Sequence, residues 1–307
     1  MDEVKYREAE ELLWQGVGYE PSEQVITLAT TGTKARVQLV GDGPPVLFIH
    51  GGPNAGSTWA PIVDAFDGYT CLLIDRPGTG LSEPFPGVSA PEVMFRFGDR
   101  FVDDVLVGLG LDRAHVVASS FGGYLALRSA AATPHRFDRM VQMACPAMVP
   151  GMLTPPFMRL MSMTWFRRLT GALPPSPKVS DNILRQIGHG KSLDAGRIPQ
   201  PFKDWYLDLQ RYTDTMKNDG EMIGAAASLR GFDPAITIPD ELLSSVTVPT
   251  LFLWGEDDGF GGRDVADNVV ALMPNAELVM MSESGHLPWL DFPDEIGRQT
   301  RAFLDRK

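Results

Sequence analysis

The sequence predicts an α/β protein built on a parallel, doubly wound sheet that one long helical insertion interrupts. Three observations carry this. Six continuous apolar runs, PPVLFIH (44–50), TCLLID (70–75), HVVASS (115–120), MVQMAC (140–145), PTLFLWG (249–255) and AELVMMS (276–282), have the pattern of strands buried on both faces. Helical stretches fall between and after them: TWAPIVDAF, RFGDRFVDDVLVGLG, GGYLALRSAAA, RDVADNVVALM and PDEIGRQTRAFLDR. Such alternation argues a sheet with helices on both faces. From about Pro146 to Val246 the alternation stops, leaving helical and loop signals without a core strand.

The other elements follow from local chemistry. The opening MDEVKYREAEELLWQG reads as a charged amphipathic helix. EQVITLAT (23–30) and KARVQLV (34–40) alternate around Thr31-Gly32-Thr33, which predicts an antiparallel hairpin. The insertion, residues 146–245, is rich in Met, Pro and aromatics and is expected to form a helical cap, with 1–145 and 246–307 as the core domain. Cys71 and Cys145 fall in different buried runs. Other strands separate them at about 4.8 Å per step, too far for a disulfide, so two reduced thiols are expected.

Composition narrows the function classes. With 39 Asp+Glu against 27 Lys+Arg the formal charge is −12, which repels phosphate backbones and anionic lipid, so neither nucleic acid nor a membrane is an expected partner. The N-terminus lacks the basic and apolar regions of a signal peptide, and no apolar run nears the roughly 20 residues of a membrane-spanning helix. A cytoplasmic location follows as the expectation.

Four fragments at strand ends carry the chemistry. In Val116-Val117-Ala118-Ser119-Ser120-Phe121-Gly122-Gly123 an apolar strand runs through small residues into a helix, the local sequence that a nucleophile on a strained turn requires. Ser120 has small residues two before and two after it, whereas Ser119 would need them where Val117 and Phe121 stand. Ala118 takes the place of the usual first glycine, a change of one methyl. The Phe121 N–H, at the helix N-terminus, would point at a developing oxyanion. Gly52, in His50-Gly51-Gly52-Pro53, can bring a second N–H close because no side chain intervenes, and His50 reads as a supporting hydrogen bonder.

The other two fragments supply acid and base. Leu251–Gly255 ends in Glu256-Asp257-Asp258, three competing acids of which Asp258 lies far enough past the strand to turn inward. His286, in Ser284-Gly285-His286-Leu287-Pro288, follows the last strand and leaves room after Asp258 for one helix and one strand. The order Ser, Asp, His is the one expected when these groups act together on such a sheet.

HGGP (50–53), DRPGTGLS (75–82), SSFGG (119–123), GEDD (255–258) and GHLPWLDFP (285–293) together resemble the α/β-hydrolase superfamily over essentially the whole chain. The resemblance implies a mostly parallel eight-stranded sheet with a helical cap inserted after the sixth strand. It implies Ser120 as nucleophile, His286 as base, Asp258 as the orienting acid, and Gly52 and Phe121 as oxyanion donors. Family members that open epoxides or remove halides attack with a carboxylate, where this elbow carries Ser120. HGGP also resembles proline iminopeptidases, but their elbow contains Trp where this chain has Phe121.

This chemistry needs no metal and no diffusible cofactor, and the sequence has no His/Cys ligand cluster. The Met and aromatic residues of the insertion point to an adaptable apolar pocket, with Met161, Trp165 and Trp205, and Leu287 beside the histidine, as candidate substrate contacts. A small-molecule ester, lactone or thioester with an apolar part is the expected substrate. The same residues could serve a lyase, a cyclase, a carbon–carbon bond hydrolase, a slow-turnover receptor or an iminopeptidase-like enzyme. Treating the protein with a fluorophosphonate and mapping the adduct by mass spectrometry should place a single label on Ser120; a label on Ser119 would shift the elbow by one residue.

Overall fold

The computed structural model describes residues 1–85, 91–171 and 174–306. Its main sheet contains β1 (Ser22–Thr27), β2 (Lys34–Val40), β3 (Pro45–Ile49), β4 (Thr70–Ile74), β5 (Ala114–Ser119) and β6 (Phe137–Met143). Past a separate short ladder of β7 (Ala227–Ser228) with β8 (Gly231–Phe232), it is completed by β9 (Thr250–Gly255) and β10 (Ala276–Met281). The order is β1-β2-β4-β3-β5-β6-β9-β10. β1 and β2 pair antiparallel, as do β2 and β4, and every ladder from β4 to β10 is parallel. The eight strands are those the sequence predicts, within a few residues at each end.

Strand order positions the site. The chain reverses direction across the sheet at β3, between β4 and β5, which opens a crevice at the strands' carboxyl ends. Ile49 lies beside Ala118, Ser119 beside Met143, Met143 beside Leu253 and Gly255 beside Met281. The loops after β3, β5, β6, β9 and β10 therefore meet along one edge. Cys71 on β4 and Cys145, two residues past the end of β6, are free and buried with β3 and β5 between those strands, and burial pushes the Cys71 thiol up to about 12.

Helix α1 (Glu3–Val17) starts where the Asp2 carboxylate accepts from the Lys5 N–H and stops at Gly18, whose φ of 80° suits a residue without a Cβ. Helices α2 (Pro91–Gly108) and α3 (Phe121–Ala132) pack together against the sheet. The TWAPIVDAF stretch coils as the 3₁₀ segment Gly56–Phe66, because Pro61 within it has no N–H to donate to an α-helical ladder.

Between β6 and β9 the chain forms short helices, including Pro156–Met161, Thr164–Gly171, Gln200–Tyr212 and Thr215–Ala226. The loop of residues 75–82 moors this segment: Arg76 pairs with Asp219, Asn218 donates to the Gly78 carbonyl, and the Gly80 N–H donates to Thr215 Oγ1. The last helix of the segment, Asp240–Ser245, packs on α3 instead. No helix among the described residues is long and apolar enough to cross a membrane.

A buried ionic cluster ties α1 to the sheet. Arg36 on β2 donates to Glu10 (2.5 and 3.1 Å) and to Asp75 (3.3 Å), and Ser57 bridges Glu10 and Gln38 at 2.6 and 2.7 Å. Burial opposes the Arg36 charge, but Glu10 and Asp75 hold its guanidinium firmly protonated. Removing the cation leaves two buried carboxylates, Glu10 and Asp75, without their shared counter-charge. Arg36→Leu should lower unfolding free energy by about 3–5 kcal/mol, measured by urea denaturation. A change under about 1 kcal/mol, the range of exposed pairs, would show that the cluster contributes little.

Candidate active site

Ser120 sits at the junction of β5 and α3 with φ 52° and ψ −119°. A non-glycine residue in that region costs about 1–3 kcal/mol and needs a surround that enforces it. The surround is visible in the flanking glycines. A Cβ on Gly122 would run into the Ile49 carbonyl and come within 2.6 Å of the His50 carbonyl, and one on Gly123 would lie 2.5 Å from Gln142 Oε1. The Ser120 carbonyl accepts from the Tyr124 and Ala147 N–H groups at 3.0 and 2.8 Å. Ser119, the competing serine, is fully buried and its Oγ has no partner among the described residues, whereas Ser120 lines a cavity.

The structure brings Asp258 and His286 together. His286 Nδ1 lies 2.9 Å from both carboxylate oxygens, which also accept the Cys145 N–H at 3.0 Å and the Phe260 N–H at 2.9 Å. Nδ1–H is thus the donor, and Nε2 is left as the open lone pair. Nε2 is buried and has no hydrogen-bond partner among the described residues, Ser120 included. The Phe260 ring packs on the imidazole with centroids 4.4 Å apart. Of the neighbouring acids, Asp257 pairs with Lys191 and Glu256 accepts from Ser282, both at the surface.

The loop after β3 closes on the serine from the other side. A Cβ on Gly51 would sit 2.6 Å from Ser120 Cβ, and one on Gly52 would collide with the Asp219 carboxylate. His50 Nδ1 donates to the Gly51 carbonyl at 2.6 Å and Nε2 accepts from the Arg76 N–H at 3.2 Å. Burial, reinforced by the Arg76 charge, holds this imidazole well below the usual range, so it stays neutral. Arg76 also donates to the His50 and Gly51 carbonyls, both at 2.9 Å, and stands over the Phe121 ring at 5.0 Å. Gly52 and Phe121 line one cavity with Ser120.

That cavity measures about 60 Å³ and is walled by Met148, Met152, Met158, Met222, Ile223 and Phe260, with Asp219 at its polar corner. Burial pushes the Asp219 carboxyl up against the opposing pull of Arg76. A larger cavity of about 270 Å³ shares Met148, Met152 and Phe232 with it and carries Arg159 and Arg230, neither of which has an acidic partner among the described residues.

The four candidate substrate contacts lie elsewhere. Trp205 is fully buried on Gln200–Tyr212, against Phe202 and the side that faces α1, so it belongs to the core of the inserted segment. Trp165 is 57% exposed and touches Phe166 edge-on. Met161 ends its short helix with its carbonyl bonded to Arg167, and Met158 one turn earlier reaches the cavity instead. Leu287 is buried behind the histidine, its N–H bonded to His189. The sequence signal for the true wall was the i, i+3, i+4, i+7 set Asp219, Met222, Ile223 and Ala226 on Thr215–Ala226.

The family model for the alpha/beta hydrolase fold matches residues 44–293. A 2-hydroxy-6-oxononadienedioate/2-hydroxy-6-oxononatrienedioate hydrolase of Burkholderia vietnamiensis is 28% identical over 300 residues, covering 93% of this chain and 96% of its own. Among solved structures, a carboxylesterase of Bacillus subtilis superposes with a TM-score of 0.77 at 18% identity, covering 99% and 98% of the two chains. A 2-hydroxy-6-oxo-6-phenylhexa-2,4-dienoate hydrolase of a Rhodococcus strain does so at 0.75 and 17% identity, covering 94% and 100%.

Asp258→Asn should lower turnover by about 10³- to 10⁴-fold, since the imidazole loses both its tautomer and its counter-charge. Asp257→Asn and Glu256→Gln should stay near wild type. Steady-state kinetics on the three folded variants decide it, and a large loss in Asp257→Asn alone would move the acid by one residue.

Proposed function

The chain belongs to the alpha/beta hydrolase family of enzymes, and from that premise we propose a serine hydrolase in which Ser120 is the nucleophile, His286 the general base and Asp258 its orienting acid. The observation that carries the proposal is the Asp258–His286 pair, with Nε2 open, beside a serine held at φ 52°. In the substrate complex Ser120 Oγ attacks a carbonyl carbon as His286 Nε2 takes its proton. The Gly52 and Phe121 N–H groups stabilise the oxyanion, each worth about 3 kcal/mol. His286 then protonates the departing group, and water activated by the same nitrogen cleaves the acyl-enzyme and restores the serine.

An ester, lactone or thioester with an apolar part is the first reading of the substrate, supported by the methionine-lined wall. Residues 146–245 supply most of the wall of the cavity beside Ser120, among them Met148, Met152, Met158, Met222 and Ile223, and so act as a cap over it. Its final helix is anchored to α3 and stays with the core.

A second reading is carbon–carbon bond hydrolysis. The Burkholderia relative is named for a substrate with a ketone and no ester, whose hydrolysis breaks a bond from the carbonyl carbon to carbon. Such a substrate carries two carboxylates, and Arg159 and Arg230, without acidic partners among the described residues, stand in the adjoining cavity. Either carbonyl is attacked in the same way; the leaving group is an alkoxide or thiolate in one, and in the other the adjoining carbon, which departs as an enolate once the 2-hydroxyl has ketonised and its proton has passed to that carbon.

A panel of neutral 4-nitrophenyl esters and a 2-hydroxy-6-oxo-dienedioate separates the two. On the second reading the dienedioate has the higher kcat/KM, and the Arg159→Ala/Arg230→Ala pair raises its KM by about 10-fold or more while leaving ester KM unchanged. Turnover of esters alone, indifferent to both arginines, supports the first.

A further inference from the structure

We propose that His189, from the inserted segment, is a positioning residue that holds the His286 loop in its working geometry, a role that rests on the reading of His286 as the base. His189 is fully buried and takes no part in the chemistry described above. Its Nδ1 lies 2.9 Å from Asp291 Oδ1, and its Nε2 lies 3.0 Å from the Leu287 N–H, the residue after His286. A nitrogen that accepts from a backbone amide carries no proton, so His189 is the neutral Nδ1–H tautomer and donates to Asp291.

Asp291 completes the clamp. Its other oxygen accepts the Ser284 hydroxyl and the Gly285 N–H, both at 2.9 Å. Burial would raise this carboxyl, but the hydrogen bonds it accepts from His189 and the Gly285 amide hold it below the usual range. The His286 N–H donates to the Ile187 carbonyl at 2.9 Å. Residues 284–287 are thus tied at four successive positions, two of them to the inserted segment and two to Asp291.

Close backbone packing explains why the clamp is stiff. Gly188, at φ 102°, presses on the Asp257 carbonyl, and its Cβ would fall 2.8 Å from Gly285 Cα. A Cβ on Gly285 would in turn lie 2.8 Å from the Ile187 carbonyl. The segment that walls the pocket therefore touches both the loop of the acid and the loop of the base. Loss of the His189 acceptor frees the Leu287 amide in a buried place and lets the imidazole drift from the serine, and displacements near 1 Å cost on the order of 100-fold in rate.

The test uses three substitutions in the full-length enzyme, with a chromogenic ester and a fluorophosphonate as probes. His189→Leu removes both bonds. His189→Asn keeps an amide N–H for Asp291 but is too short to accept from Leu287. His189→Gln spans the site and can offer both. The Leu and Asn variants should lose about 10- to 100-fold in kcat and in Ser120 labelling rate, with KM within about 2-fold, and the Gln variant should recover most of the loss. If the Leu variant does not fold, the Asn and Gln pair decides, because they differ at the Leu287 acceptor. Equal kcat in the folded Asn, Gln and wild-type enzymes would overturn the role. His286→Ala separates the two readings: full activity there would remove His286 as base, whereas its loss alongside wild-type behaviour of the Asn variant would remove the role of His189 alone.

Discussion

The active edge of this sheet depends on the close approach of α3 to β3, which Gly122 permits and which keeps Ser120 in its strained backbone conformation. With a side chain at 122 the first turn of α3 would be pushed off the Ile49 and His50 carbonyls. The strain at Ser120 would then relax, and the hydroxyl would leave the cavity it shares with Gly52 and Phe121. Strand order does the rest. Because β3, β5, β6, β9 and β10 are parallel neighbours, the turn at Ser120 and the loops of Gly52, Asp258 and His286 reach the same edge without long excursions.

Two sets of contacts join the inserted segment to this edge. Thr215–Ala226 is moored to the loop of residues 75–82 through Arg76, Gly78 and Gly80, and the same helix places Met222 and Ile223 against the serine. The stretch around Ile187–His189 instead reaches the loops after β9 and β10. The segment thus has one contact with the oxyanion side and another with the base side. On the proposed reading, any displacement of this segment acts on both sets of contacts, and so on the geometry of His286.

The strands were legible in the sequence because burial on both faces leaves a continuous apolar run that few other structures produce. The fragments around Ser120, Asp258 and His286 were legible because each stands at a strand end with glycine nearby, where backbone closeness dictates residue type. The pocket wall was not. Trp205 and Met222 both lie on amphipathic helices, and helical periodicity says that a face is covered without saying whether by core or by cavity. Gln200–Tyr212 turns its aromatic face to α1, while Thr215–Ala226 turns its methionine face to the serine. His189 was invisible for a different reason: its partners, Leu287 and Asp291, are about a hundred residues away and share no spacing with it.

The central claim is a covalent path through Ser120 in which His286 serves both half-reactions. Rapid-quench kinetics with a 4-nitrophenyl ester test it most directly, combined with intact-mass and peptide analysis of the quenched enzyme. The expected result is a burst of nitrophenol close to one per active site, with the acyl mass on the peptide that carries Ser120. Undiminished turnover in Ser120→Ala, with no acyl adduct on the wild-type chain, would contradict it.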